Sequence, residues 1–521
     1  MSQRTVTINA RLMRRLRPWV QVATFLVFVA LLLKAGGQAA GAFFYLDPLT
    51  GLATTLAARR IVPLTLLALL TVAATLALGR VWCGWLCPLG SVLDWTPARR
   101  ADLKQLDPGL RWRQAKYFLL AAIAAGALLG NLTLLLLDPL TILYRTLTTA
   151  VWPALISLIT AVDRTLYAAP ALRGPVGAFE GALRGVVLPV YQPLYGLNVL
   201  VALVFVGILA LNAVRDRFWC RYLCPLGALL ALVSKVSWLR RVVGEQCIEC
   251  HRCARACPVG TIDPARDHAS DPAECVMCLD CVPTCPRSSL HFVSHWRPQL
   301  WRAPAYPYDP ARRQLLASAG AAVALVGLFG AEPVAEREHP RHLRPPGVRE
   351  RELEGIDFLS QCIRCGVCLK VCPTSGLQPS LGEAGWAGLW TPVLVPRLGY
   401  CDFGCTACGQ ACPVGAIPLL SLDVKRQRII GHATIDRNRC LPWADARNCL
   451  VCEEMCPIAD KAIKLEEAEV RASDGETVLI KRPVVVRERC IGCGICEHHC
   501  PLNGEAAIRV VAATDVAALP L

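Results

Sequence analysis

Cys247-Ile-Glu-Cys250-His-Arg-Cys253-Ala-Arg-Ala-Cys257-Pro258 decides how this chain is read. The spacing C-x2-C-x2-C-x3-C-P recurs at Cys275/Cys278/Cys281/Cys285, Cys362/Cys365/Cys368/Cys372 and Cys490/Cys493/Cys496/Cys500. Two stretched variants follow the same plan, Cys401/Cys405/Cys408/Cys412 and Cys440/Cys449/Cys452/Cys456. A proline follows the last cysteine each time: Pro258, Pro286, Pro373, Pro413, Pro457 and Pro501. Three thiolates two residues apart let one loop wrap three corners of a cubane, and a distant cysteine supplies the fourth. These 24 cysteines therefore read as ligands of six [4Fe–4S] clusters, which implies a wire for single electrons. The remaining four of the 28 form two C-x3-C-P pairs, Cys83/Cys87 and Cys220/Cys224, so no cysteine stands outside a pattern.

Other uses of cysteine fit less well. A secreted disulfide scaffold needs cysteines but not this spacing. Zinc sites pair two C-x-x-C knuckles at longer separations. Cys247-Ile-Glu-Cys250-His251 also matches the C-x-x-C-H attachment motif of c-type haem. Both of its cysteines already belong to a complete ferredoxin run.

The chain has 521 residues, which calls for several domains. Its hydrophobic content is 54% and its mean hydropathy +0.41, values of a membrane protein. The apolar stretches fill the first 240 or so residues, and polar cysteine-rich sequence fills most of the rest. The net charge of +15 does not indicate nucleic acid, because much of the Arg and Lys flanks apolar segments and the rest is scattered. Arg4, Arg11, Arg14, Arg15 and Arg17 precede the first apolar run without an acid among them, which holds the N-terminus in the cytoplasm. Apolar runs at 19–33, 61–78, 117–137 and 197–213 read as four spans. The loop 80–116 carries seven Arg or Lys against three acids and reads as cytoplasmic. An even number of spans brings the sequence after Ala213 back inside. The outer loop 138–196 has room for an interfacial helix at 151–159.

The membrane part is an internal duplication. Arg80-Val-Trp82-Cys83-Gly-Trp-Leu86-Cys87-Pro88-Leu89-Gly90 matches Arg217-Phe-Trp219-Cys220-Arg-Tyr-Leu223-Cys224-Pro225-Leu226-Gly227. Upstream, Leu46-Asp47-Pro48-Leu49-Thr50 matches Leu137-Asp138-Pro139-Leu140-Thr141. Parallel repeats of this kind are related by a pseudo-twofold axis along the membrane normal. Cysteines at i and i+4 share a helix face, so the four C-x3-C-P thiols can converge across that axis. They then hold a metal or a further Fe–S centre, or else they are two local redox-active or structural thiol pairs. Asp47 and Asp138 read first as turn or helix-start residues. Proton release from a quinol is the alternative use of such acids.

The expected fold is an α-helical membrane bundle, four spans plus a fifth, with α+β ferredoxin-like [4Fe–4S] modules. The domains are 1–243, the four-span part; 244–300, a two-cluster module; 311–331, a fifth hydrophobic segment; 332–353, a linker; and 354–521, a four-cluster module. Arg312-Arg313 before the apolar run 315–329 looks like a twin-arginine signal placed internally. If that run crosses, the four-cluster module lies outside. Within each two-cluster module the last cysteine of one motif serves the other cluster. That predicts Cys247/Cys250/Cys253 with Cys285, and Cys275/Cys278/Cys281 with Cys257. In the C-terminal module the expectation is outer with outer and inner with inner. Cys362/Cys365/Cys368 then takes Cys500, and Cys490/Cys493/Cys496 takes Cys372. Cys401/Cys405/Cys408 takes Cys456, and Cys440/Cys449/Cys452 takes Cys412.

These parts resemble a known pair of ferredoxins. Residues 1–300 resemble NapH/MauN-type membrane ferredoxins, and residues 311–521 resemble NapG/MauM-type ferredoxins, so the chain is similar to a fusion of the two. The resemblance implies a quinol dehydrogenase component of the bacterial inner membrane. Its partners would be the membrane quinone pool and a periplasmic reductase or cytochrome, with a nitrate-reductase-type system as acceptor. The C-x3-C-P string also resembles those of NosR- and CcoG-type membrane ferredoxins. That resemblance implies the alternative, a maturation or reactivation factor that reduces a metal or cofactor of a periplasmic enzyme. A catalytic residue is not identifiable in the sequence.

Overall fold

A computed structural model describes residues 10–34, 36–96, 110–184, 188–189, 192–294, 342–353, 357–382, 385–471 and 477–512, with residues 320, 323–324, 327 and 355 besides. The internal twin-arginine pair and nearly all of the expected fifth segment lie outside these residues. The chain divides into two compact units. One comprises Met1–Leu33, Ala42–Tyr144 and Leu200–Leu328; the other comprises Lys34–Gly41, Arg145–Val199 and Phe329–Leu521.

In the first unit the duplication in sequence is a duplication in structure. Asp47 begins the helix Pro48–Ala58 by accepting the Leu49 N–H at 2.8 Å. Asp138 begins the helix Pro139–Thr146 by accepting the N–H groups of Leu140 and Thr141, each at 2.9 Å. In both cases a proline follows the capping residue, where its missing N–H costs nothing. Each half then carries an apolar helix, Ala68–Leu78 or Asn198–Val214, and a single π-turn, Trp82–Leu86 or Trp219–Leu223. Each ends in a helix capped by the second cysteine of the C-x3-C-P pair, Pro88–Trp95 on Cys87 and Pro225–Ser234 on Cys224. Both Asp residues are therefore helix caps. Both are also fully buried.

Among the described residues two helices are long and apolar enough to cross a membrane, Ala10–Leu33 and Pro139–Tyr167. The other apolar helices, Pro63–Leu78, Gln114–Leu128, Asn198–Val214 and Pro225–Ser234, are shorter than the ~20 residues a full crossing uses. The second long helix differs from the expected outer loop with a short interfacial helix. It runs through a π-turn at Leu147–Val151, and more than half of it is buried inside the fold.

The first ferredoxin module closes the same unit. Its outer strands, Leu239–Val243 and Leu290–Ser294, pair antiparallel with Leu239 opposite Ser294. Ile262, Met277, Leu279, Val282, Leu290 and Phe292 form its core, joined by Trp85 from the first π-turn.

The second unit carries the four remaining motifs. Strand Gly431–Ile435 pairs antiparallel with Ile508–Ala512, and Ile463–Arg471 with Thr477–Val485 in a long hairpin. The Val-rich stretch near Val478 is thus a strand. A short helix fills the space between the third and fourth cysteine of the motifs, for example Val367–Val371 and Ile495–His499. Segment 145–199 belongs to this unit and is held to it by specific contacts. Tyr195 Oη donates to the Leu369 carbonyl at 3.0 Å, and Gln378 Nε2 donates to the Leu194 carbonyl at 2.8 Å. Arg145 lies over the Trp390 ring at 4.3 Å, and Lys370 over the Trp152 ring at 5.5 Å.

Candidate metal centres

The regular motifs share one backbone device. The residue before the second cysteine and the residue after it both have positive φ: Glu249 and His251, Met277 and Leu279, Arg364 and Gly366, Gly492 and Gly494. Two left-handed residues around one cysteine curl the chain and turn its N–H groups toward the space between the thiols. Gly492 answers a second need, because a Cβ there would lie 2.4 Å from the Gly431 nitrogen.

Five thiol rings surround open hollows of about 350 to 400 Å³ lined by Ile, Val, Leu and Pro. Their membership corrects the expected pairing. Cys362, Cys365 and Cys368 meet Cys412, and Cys401, Cys405 and Cys408 meet Cys372. Cys440, Cys449 and Cys452 meet Cys500, and Cys490, Cys493 and Cys496 meet Cys456. Neighbouring motifs exchange their last cysteines; the two outer motifs do not exchange with each other, and neither do the two inner ones. The physical reason is local. Each short helix ends one motif and aims its fourth cysteine at the next loop, so pairing closes before the chain moves on. In the first module Cys247, Cys250 and Cys253 meet Cys285, as expected from spacing. Cys257 lies close enough to Cys275, Cys278 and Cys281 to feel their charge.

These rings suit clusters. Among the described residues no three Cys, His, Asp or Glu side chains are drawn in tightly enough for a single ion. Backbone N–H groups point at sulfur from Ala433 to Cys490 at 3.3 Å, Ala462 to Cys456 at 3.4 Å and Ala407 to Cys405 at 3.5 Å. Such hydrogen bonds stabilise a thiolate ligand and tune the cluster it holds. Burial pushes the free thiols up, Cys275 and Cys493 to about 12 and Cys401 and Cys440 to about 11. They keep their protons until iron displaces them, so loading releases protons.

The four rings of the second unit stand in a line. Cys368 of the first feels Cys408 of the second. Cys401 of the second donates its backbone N–H to the Cys493 carbonyl of the third at 2.9 Å. Cys496 of the third feels Cys452 of the fourth. The first ring is the best covered, with Cys362, Cys365 and Cys368 buried, whereas all four cysteines of the last are partly exposed.

The C-x3-C-P cysteines are all buried and come together from the two repeats. Cys87 and Cys224 each lie within reach of the charge of Cys83 and Cys220. Two buried arginines cross between the halves. Arg80 of the first repeat sits 3.9 Å from Cys83 Sγ and 2.8 Å from where a Cβ on Gly227 would be. Arg217 of the second donates to the Cys83 carbonyl at 2.9 Å and pairs with Asp94 at 2.6 Å. Both arginines stand at matching repeat positions in the sequence, but their crossing between the halves depends on contacts that no local pattern displays. The buried ion pair of Lys116 with Glu274, 2.5 Å, was likewise illegible, because its partners are 158 residues apart.

Three family models match, each described as a 4Fe-4S binding domain. One covers residues 61–102 and 197–244, one covers 247–261 and 362–376, and one covers 483–503. The methylamine utilization ferredoxin-type protein MauM of Methylorubrum extorquens is 36% identical over 215 residues, 40% of this chain and 91% of that protein. The ferredoxin-type protein NapG of Escherichia coli is 32% identical over 202 residues, 38% of this chain and 83% of that protein. The chain belongs to the MauM/NapG family of ferredoxin-type proteins. Membership of this family makes it an iron–sulfur electron-transfer protein. A shorter likeness, 48% over 79 residues, links it to the protein NirI of Paracoccus denitrificans, and spans 14% of this chain and 11% of NirI. No solved structure matches.

Proposed function

We propose that the chain is a fusion of a NapH/MauN-type membrane part with the MauM/NapG-type ferredoxin. It oxidises quinol at the membrane and delivers the electrons, one at a time, to a periplasmic acceptor such as a nitrate-reductase-type system. Oxidation of one quinol to quinone releases two electrons and two protons, and each [4Fe–4S] cluster carries one electron. Six clusters would be held by the six thiol rings described above. The membrane reading is supported by the long, mostly uncovered apolar helix Ala10–Leu33 and by the basic residues 11–17, which favour a cytoplasmic N-terminus.

The observation that carries this reading is the line of four rings in the second unit, with its buried end against segment 145–199. Tyr195 and Arg145 of that segment reach the Cys368 and Cys365 ring, so electrons would join the wire there. They would leave at the Cys440/Cys449/Cys452/Cys500 ring, the far end of the series, where all four cysteines are partly exposed. Segment 145–199 follows the third expected span, so its packing with the four-ring module supports a shared, periplasmic side for both. The burial of much of helix Pro139–Tyr167 favours a packed helix over a further span.

The test is anaerobic reduction of the purified chain by a quinol analogue, followed by EPR and visible bleaching, with dithionite as the full-scale reference. Fast reduction blocked by a quinol-site inhibitor supports the reading. Reduction by dithionite alone overturns it, and reductive maturation of a partner enzyme then becomes the better account of the same wire.

A further inference from the structure

We infer that Cys83, Cys87, Cys220 and Cys224 hold a seventh redox centre, an iron–sulfur cluster built across the two repeats. The inference extends the electron-transfer reading, but neither its argument nor its test involves quinol or the final acceptor.

Five observations meet at this place. All four thiols are buried, and they are drawn from both halves of the duplication. Neither segment matched by the 4Fe-4S family model, 61–102 or 197–244, contains more than two cysteines, so a four-thiolate centre there needs both. Cys87 and Cys224 are helix caps, and their sulfurs accept the N–H groups of Gly90 at 3.5 Å and Gly227 at 3.2 Å. A helix N-terminus favours an anion, as a ligated thiolate is. Arg80 and Arg217 are each 1% exposed and supply two positive charges beside the thiols. A tetrathiolate cluster is anionic, and an anion buried in the fold needs such partners.

The fifth observation is a set of hydrogen-bond donors with nothing to donate to. Trp82 Nε1 and Trp219 Nε1 occupy the same position in the two repeats, immediately before Cys83 and Cys220. Their residues are 4% and 6% exposed. Neither indole N–H meets an acceptor, and neither does Arg80 Nε. Buried donors are nearly always satisfied. The sulfides and thiolates of a bound cluster would be their acceptors, and the repeat symmetry explains why the orphans come as a pair.

The position is also one from which electrons can move. Arg80 donates to the Ala273 carbonyl at 3.0 Å, and Trp85 donates to the Met277 carbonyl at 2.9 Å. Both carbonyls belong to the loop of the Cys275/Cys278/Cys281/Cys257 ring, and Arg217 feels the charge of Cys278. A cluster at the repeat junction therefore abuts a ferredoxin cluster. On loading, four thiols lose four protons to become ligands; in turnover the centre takes one electron and passes one on.

The experiment starts with the full wild-type chain, purified anaerobically, and counts iron and acid-labile sulfide per chain. Six cubanes give about 24 irons; a seventh centre gives about 26 or about 28, for two-iron or four-iron type. The Cys83→Ser/Cys220→Ser chain should return to about 24 with the other EPR signals in place. Arg80→Gln and Arg217→Gln should keep the iron and lower one midpoint potential, since removing a positive charge disfavours the reduced, more negative cluster. The inference is overturned if the wild-type chain saturates at about 24 irons. It is equally overturned if the double-serine chain matches wild type, or if neither arginine variant moves a potential.

Discussion

Trp85 donates its indole N–H to the Met277 carbonyl, 192 residues along the chain, at 2.9 Å. The bond fastens the first π-turn to the loop that carries Cys275 and Cys278. Beside it, Gly84 lies so close to the Val276 carbonyl that a Cβ would sit 2.0 Å from its oxygen. Trp85→Phe keeps the ring and removes the donor, leaving a buried carbonyl without its partner. The cost is about 1–3 kcal/mol. A thermal melt should shift down with iron content unchanged, and an unmoved melt would refute the bond.

Ring membership gives the sharpest test of the C-terminal module. Cys412→Ser should perturb the same EPR signal as Cys362→Ser, since both ligate one ring. Cys372→Ser should instead match Cys401→Ser. If Cys412→Ser copied Cys440→Ser, the inner motifs would pair after all.

Glu274 is 3% exposed and faces Lys116 Nζ at 2.5 Å and Arg80 at 3.6 Å. Glu274→Gln leaves two buried cations uncompensated, whereas Lys116→Met leaves Glu274 with Arg80. Removing one partner of a buried ion pair costs about 3–5 kcal/mol. Glu274→Gln should therefore be the more damaging of the two in chemical denaturation, and the reverse order would refute the shared role of Arg80.

Burial pushes the Asp94 carboxyl up, but Arg217 and Arg17 outweigh it and hold the group below its usual range. A group whose folded pKa is depressed stabilises the fold above its unfolded value, about 3.9, and loses that contribution as pH falls through the folded value. Asp94→Asn should lower the melting temperature by the same amount from pH 8 to pH 5. The gap to wild type should narrow only below about pH 4. A gap that closed near pH 6 would exclude Asp94 as the cause.

Much of this architecture was legible in the sequence because it is written in short-range patterns. The cysteine spacing is local, and so is the match between the Asp47 and Asp138 caps or between the two C-x3-C-P strings. What stayed hidden depends on long-range geometry. Spacing says that a fourth cysteine comes from elsewhere but not from where; the contact of Cys401 with Cys493, 92 residues apart, shows how adjacent pairs dock after each has closed on itself. The helix Pro139–Tyr167 was masked by Arg145, Asp163 and Arg164, charges that look like loop until Arg145 finds Trp390. The crossing of Arg80 and Arg217 between repeats could be read only once both halves were placed.

The way the C-terminal motifs close has a consequence for how such chains arise. Nested closure would make every added motif break an existing cage, since the outermost loops would have to let go and find new partners. Adjacent closure leaves each two-motif block complete in itself. A gene segment encoding such a block can be copied and appended without disturbing the ones before it, and conduction then lengthens by whole units. The long strand pair Ile463–Arg471/Thr477–Val485, present in the last block and absent from the described residues of the one before it, shows that a block can carry its own elaboration without opening its neighbour.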